Sequence, residues 1–215
     1  MSKRELIATT ADGPRRRRIL DAARTVFAER GGLSAGLRPI AAEAGCTTGA
    51  IYAVFSSKEE IYGALLEESL SDLATRVATA VAREVQADTA LRAAGTAFFQ
   101  YYQENPFEQS LGLYLFERDG RKGLGTAWDE RLNARLGETL AIFKACFRRL
   151  GAPDTASDPT ATRLADSFFA ALLGVLSMSA AGRDRSIGTS AETILFTLFE
   201  VFIYNTVAED NDHGN

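Results

Sequence analysis

Apolar residues recur at helical spacing along almost the whole chain, and clear runs of alternation are missing. Between Arg15 and Arg30, Ile19, Leu20, Ala23, Val26 and Phe27 fall at i, i+1, i+4, i+7 and i+8, one apolar face of a first helix. Gly31 and Gly32 stop it. A second helix is predicted from Leu37 to Ala44, with Leu37, Ile40, Ala41 and Ala44 inward. Pro39 sits in its first turn, where a missing N–H costs little. Gly45 makes a turn, and Thr47 or Thr48 caps a third helix that runs to about Phe55. Ser56 or Ser57 caps a fourth helix that extends to about Val85, and Ser57-Lys58-Glu59-Glu60 has the capping-box spacing. Beyond it, helices are expected near 88–104, 106–117, 125–150, 159–182 and 189–207, separated by Asn105-Pro106, Asp119-Gly120, Gly151-Ala152-Pro153 and Gly182 to Gly188. The expectation is an all-α protein of about nine helices. A flexible arm occupies 1–14, a helix-turn-helix domain 15–60, a larger helical domain 61–207 and a flexible tail 208–215.

Composition agrees with this pattern and narrows the chemistry. The 215 residues are 46% hydrophobic, ample for a core. Two cysteines, Cys46 and Cys146, stand in unrelated contexts and suggest neither a disulfide framework nor a CxxC site, which fits a reducing cytoplasm. The first eighteen residues carry charge without an apolar core segment, so no signal peptide is expected. The mostly apolar stretch from Ser167 to Ala181 reads as too short, and too rich in Ala, Gly and Ser, to span a bilayer. The lone histidine, His213, lies in the polar tail, which leaves no Ser/His/Asp triad and no multi-histidine metal site. No paired-carboxylate motif, phosphate loop or cofactor motif supports an enzyme.

The net charge of −4 looks wrong for a chain that meets DNA, until it is divided. Residues 1–60 hold ten Lys/Arg against seven Asp/Glu, and the remainder fourteen against twenty-one. A basic head on an acidic body is the asymmetry expected when one end meets phosphate. Screening limits the reach of the acidic body to roughly 8–10 Å at physiological salt.

Reading a DNA sequence requires an exposed helix face that fits the major groove. The third helix supplies one. Ile51 and Phe55, four apart, are its inward anchors, which leaves Thr47, Thr48, Gly49, Ala50, Tyr52 and Ala53 outward or toward its N-terminus. The threonine hydroxyls suit base edges or phosphates, and the small residues allow close approach, with a methyl for thymine. Tyr52 offers a phenol to a phosphate. Lys58 stands at the next helix's N-terminus, well placed for another. Arg38 can address a guanine in bidentate fashion. The run Arg15 to Arg18 reads either as a solvated helix start or as phosphate or minor-groove contacts, each neutralised phosphate steepening salt dependence by a slope of about −0.9.

The segment from Arg15 to Leu66 resembles the TetR family of transcriptional repressors, through ILDAARTVFAERG, then IAAEAG, then GAIYAVFSSKEEIY. The glycine turn, Gly49, Ile51-Tyr52, Phe55 and Ser57-Lys58-Glu59 fall in register. The resemblance implies a homodimer with two DNA-binding heads, bound to a palindromic operator and released by a small-molecule ligand in the C-terminal domain. There are two departures. Ala53 and Val54 follow the recognition tyrosine where members often carry an aromatic or polar residue and a histidine, and Leu37 stands where many carry a hydroxyl residue. Each removes a phosphate contact.

From about Leu70 the resemblance fades. The body is dense in aromatics. Phe98, Tyr102, Tyr114, Trp128, Phe143 and Phe168 are the candidate lining of a pocket for a mostly apolar, aromatic or acyl, ligand. The last two long helices are apolar on more than one face, which suggests pairing with a symmetry mate through Leu172, Leu176, Ile194, Leu198 and Phe202. The expectation is a dimeric, ligand-responsive repressor in the cytoplasm. An activator of the same architecture, and a helical small-molecule binder without an operator, are the alternatives.

Overall fold

The computed structural model describes residues 3–30, 35–113 and 124–212. These form ten helices and no strand: α1 (Lys3–Arg30), α2 (Leu37–Glu43), α3 (Thr48–Tyr52), α4 (Lys58–Val81), α5 (Ala87–Glu104), α6 (Pro106–Leu113), α7 (Thr126–Arg149), α8 (Thr160–Ala180), α9 (Arg183–Ser186) and α10 (Ala191–Asp212). Most boundaries fall within a few residues of those expected. The exceptions are informative. α1 begins at Lys3 rather than after Pro14, so the expected arm is helical and Pro14 lies inside a helix. α10 runs to Asp212, past the expected tail boundary at 208. The break expected over Gly182 to Gly188 contains the short helix α9. The break expected at Asp119-Gly120 lies outside the described residues.

The described residues divide into two compact units. The first comprises those within Met1–Ser69 and Pro106–Leu132, and the second those within Leu70–Asn105 and Asn133–Asn215. The unit around the helix-turn-helix therefore takes in more chain than 15–60.

In the first unit the apolar face of α1 is buried as its spacing requires, Ile19, Leu20, Ala23, Val26 and Phe27 all being in the core. Gly45 closes α2 in the left-handed region (φ 61°) that a side chain disfavours. Around it Gly45 N–H donates to the Ala42 carbonyl at 3.2 Å and Cys46 N–H to the Ala41 carbonyl at 2.9 Å, a Schellman closure. Ser57 Oγ accepts the Glu60 N–H at 3.2 Å and so caps α4. The reciprocal arm reaches one residue further back than a standard box: the Glu60 carboxylate accepts from Ser56 N–H at 2.6 Å and Ser56 Oγ at 2.7 Å. α6 and the start of α7 complete the unit. Tyr62 donates its hydroxyl to the Leu111 carbonyl at 2.7 Å, and its ring lies 5.9 Å from that of Phe27.

The second unit is built on aromatic rings. Phe168 of α8 is the hub, 5.2 Å from Phe143, 5.8 Å from Phe147, 6.0 Å from Phe199 and 5.2 Å from Phe202, centroid to centroid. Most of these meet edge to face, the arrangement favoured by ring quadrupoles. Cys146 is buried among them, and burial pushes its thiol up to about 11. At the rim Arg76 grips Glu104 through two hydrogen bonds of 2.6 and 2.8 Å, which hold the Glu104 carboxyl below its ordinary range. The Arg149 guanidinium donates to the Glu84 and Val85 carbonyls at 3.1 and 2.9 Å, just beyond the end of α4 at Val81. α8, at 21 residues, is by length and composition long and apolar enough to cross a membrane, which was not expected of Ser167 to Ala181. Its Phe168, Leu172, Val175 and Leu176 are instead buried within this unit.

Candidate nucleic-acid interface

The interface is organised by α3 and its cap. Thr47 has extended backbone (φ −88°, ψ 158°), and its Oγ1 accepts the Ala50 N–H at 3.1 Å, satisfying one of the helix's orphan donors. α2 packs against both α1 and α3, and Ile51 and Phe55 are fully buried. With those two anchors inward, the helix has no freedom to present another face. Thr47, Gly49, Tyr52 and Ala53 are exposed, and Thr48 and Ala50 half-buried. Tyr52 stands out: a large ring, 59% exposed, on a five-residue helix. A Cβ at Gly49 would meet only Thr47 Oγ1, at 3.7 Å, so the glycine serves no packing need inside the chain. It keeps the outer surface low, as close approach to a groove requires. Arg38 is exposed on α2, and Lys58 is half-buried at the start of α4.

The four arginines of α1 are not a helix start, because α1 already runs from Lys3. Two of them turn toward α4. Arg17 Nη1 lies 3.3 Å and Arg16 Nη1 3.9 Å from the Glu68 carboxylate, and Arg17 Nε lies 3.0 Å from Asp21. Arg16 also places its guanidinium carbon 5.2 Å from the centre of the Phe55 ring, beside the end of the recognition segment. Arg24 bridges Glu68 at 3.9 Å and the buried Glu108 of α6 at 3.2 Å. Sequence reasoning missed this network. Its local signals are Arg17 and Asp21, four apart, and the Glu67-Glu68 pair in α4, and Glu68 lies some fifty residues from Arg17. The charge split changes with it. The described residues within Met1–Ser69 and Pro106–Leu132 hold eleven Lys/Arg and twelve Asp/Glu, so the unit carrying the candidate interface is balanced overall and basic only locally.

The other expected sites are placed less uniformly. Phe98, Tyr102, Phe143 and Phe168 come together in the second unit, Phe98 lying 5.2 Å from Tyr102 and 5.9 Å from Phe143. Trp128 does not join them. It belongs to the first unit, with ring atoms where a Cβ on Gly63 would be, 2.6 Å away, and with the Arg131 guanidinium stacked at 4.3 Å. Arg131 in turn pairs with Glu67. Tyr114 lies outside the described residues. Leu172 and Leu176, expected at a subunit contact, are buried inside a single chain on the same stripe as Phe168, which removes them from any outer face. Ile194, Leu198 and Phe202 are half-buried against the same core. Among the described residues, the large apolar side chains that α10 does expose are Phe196, Val201, Tyr204 and Val207, Tyr204 being 74% accessible.

Residues 19–65 match the sequence model for bacterial regulatory proteins of the tetR family. Over 105 residues the chain is 37% identical to the HTH-type transcriptional activator FasR of Mycolicibacterium smegmatis, covering 49% of this chain and 47% of that one. Over 92 residues it is 35% identical to the HTH-type transcriptional repressor KstR2 of Rhodococcus jostii, covering 43% and 45%. The chain thus spans just under half the length of the curated relatives it matches. In fold it is similar to the transcriptional regulator FadR from Bacillus subtilis, solved in complex with stearoyl-CoA. The TM-score is 0.68 over 87% of this chain and 97% of that one, at 17% identity.

Proposed function

We propose that this chain, a member of the tetR family by its N-terminal domain, is a dimeric transcriptional regulator that binds a palindromic DNA operator and leaves it when a small apolar ligand binds. The observation that carries this reading is the outer face of α3, where Thr47, Gly49, Tyr52 and Ala53 are exposed over the buried anchors Ile51 and Phe55. In this reading residues 15–60 recognise the operator in the cytoplasm. Tyr52 and Lys58 hold phosphates, Arg38 and the threonines address base edges, and Gly49, Ala50 and Ala53 let the helix settle into the groove. Residues 61–207 bind ligand and dimerise.

Phe98, Tyr102, Phe143 and Phe168 are the candidate contacts for an apolar ligand; they lie together in the second unit's core, packed on one another, so the ligand must open that packing. The stearoyl-CoA bound by FadR suggests the class, a long acyl chain on a polar carrier. α10 supports pairing with a second copy, because Phe196 and Tyr204 project from it. Two heads on a two-fold axis meet half-sites roughly 34–36 Å apart, so a ligand-driven shift of α4 that alters this spacing releases DNA. A repressor fits the relative KstR2, and an activator fits FasR. The same architecture serves both signs.

The test is selection of bound fragments from the source genome, then fluorescence anisotropy on the best site across a salt series. A palindromic site with steep salt dependence is expected, with Tyr52→Ala binding it more weakly while remaining folded and dimeric. Stearoyl-CoA should release the probe. Unchanged affinity of Tyr52→Ala removes that residue's assignment, and failure of a folded dimer to enrich any site removes the operator.

A further inference from the structure

We propose that Glu68 limits the affinity of the head for DNA by holding the arginines of α1 away from phosphate. The inference rests on the DNA-binding reading above and adds a residue that the recognition surface does not contain. One carboxylate, only 30% exposed, receives three guanidinium groups: Arg17 at 3.3 Å and Arg16 and Arg24 at 3.9 Å. The three are not equivalent. Arg24 also reaches Glu108, whose side chain is 9% exposed, and so ties α1 to α6 whatever Glu68 does. Arg16 and Arg17 are 44% and 56% exposed and lean on Glu68 from the solvent side, Arg17 with Asp21 as a second partner at 3.0 Å.

Arg16 lies on the rim of the recognition segment, through its ring contact with Phe55. A duplex docked on α3 would pass that rim, where a guanidinium can exchange its carboxylate for a phosphate. Phosphate and carboxylate are alternative partners for the same fork of N–H donors. While Glu68 holds Arg16 and Arg17, their contribution to counterion release is lost, since each phosphate contact must first break an ion pair. Such a pair is exposed and screened, so it moderates binding without blocking it. The overall charge balance of the first unit makes this residue matter. With eleven Lys/Arg and twelve Asp/Glu among its described residues, the unit has no surplus field to compensate for two diverted arginines.

The experiment measures binding of full-length protein to a short random-sequence duplex by anisotropy over a salt series. Glu68→Gln keeps the shape and removes the charge. It is expected to bind more tightly at low salt, with a log–log salt slope more negative by about 0.9 for each arginine released, so by about one for Arg16 and by up to about two where Arg17 also leaves Asp21. Its advantage over the wild type then shrinks by up to about tenfold between 50 and 200 mM salt. Glu68→Ala, which preserves helix propensity in α4, is expected to do the same. Adding Arg17→Gln to Glu68→Gln should bring the slope back toward the wild-type value. Equal slopes in wild type and both Glu68 variants overturn the proposal, as does weaker binding by variants whose circular dichroism is unchanged. Failure of the wild type to bind any duplex overturns the DNA-binding reading and this proposal together, whereas normal binding with an unmoved slope overturns this proposal alone.

Discussion

Gly95 of α5 is a seat for two phenylalanine rings, and Gly95→Ala should therefore destabilise the protein although alanine is the better helix former. A Cβ at this position would lie 2.5 and 2.9 Å from Cε1 and Cζ of Phe199 and 2.8 Å from Cζ of Phe168. Neither ring can retreat. Phe168 is fully buried and boxed by Phe143, Phe147 and Phe202, and Phe199 is nearly as buried. Replacing glycine by alanine inside a helix gains about 0.8–1 kcal/mol in propensity. Forcing a methyl into a packed core costs roughly 1–3 kcal/mol, and rigid rings place this case in the upper half of that range. The net expectation is a loss of about 1–2 kcal/mol, a fall of roughly 2–8 °C in midpoint for a chain of this size. The control is Gly137→Ala on α7, where an added Cβ meets nothing within 4 Å. That variant should gain up to about 1 kcal/mol. Thermal and urea unfolding of the two variants, followed by far-UV circular dichroism, give the comparison directly. If Gly95→Ala matches or exceeds Gly137→Ala in stability, the packing argument for the aromatic core is wrong.

Thr47→Ala should cost about 0.5–2 kcal/mol through loss of the cap on α3. It should raise amide exchange at Ala50 and weaken operator binding, and Thr47→Ser should restore both; normal exchange in Thr47→Ala would remove the cap's importance. The two thiols should differ sharply in reactivity. Cys46 is half-exposed, so a disulfide reagent near pH 8 should modify it promptly, while Cys146 reacts only on unfolding; rapid modification of both would contradict the burial. Because the folded pKa of Cys146 is raised from 9.0 to about 11, its contribution to stability is complete below about 9 and declines as pH rises toward 11. An unfolding midpoint that falls across that window in wild type, and falls less in Cys146→Ala, is the expected signature.

The recognition segment was legible because its determinants are local. Gly45 with its left-handed backbone, Thr47 three residues before the amide it caps, and Ser57 three before Glu60 all act within one turn of chain. Spacing alone therefore oriented Ile51 and Phe55 inward and Tyr52 outward. The body was legible only as a list of helices. Phe168, Leu172 and Leu176 repeat every four residues, and that spacing marks a buried stripe without saying whether the cover is the same chain or another. Here it is the same chain. Trp128 shows the same limit. Aromatic composition pointed it at a cavity, but its position is set by the absence of a side chain on Gly63, sixty-five residues earlier. Nothing near Trp128 in sequence encodes that partner.

The arginine run carries this further, because there the pattern was read correctly as charge and incompletely as chemistry. Counting ionised groups over residues 1–60 treats each guanidinium as available to phosphate. Glu67 and Glu68 fall just beyond that boundary, yet they lie in the same compact unit, and Glu68 meets Arg16, Arg17 and Arg24. A net charge computed over a stretch of sequence is a property of where the stretch is cut, whereas counterion release depends on which cations are unpaired when DNA arrives. The relevant quantity for this head is therefore the competition between one carboxylate and the DNA backbone for two arginines. That competition makes the salt slope of Glu68→Gln more informative about the interface than the pI of either unit.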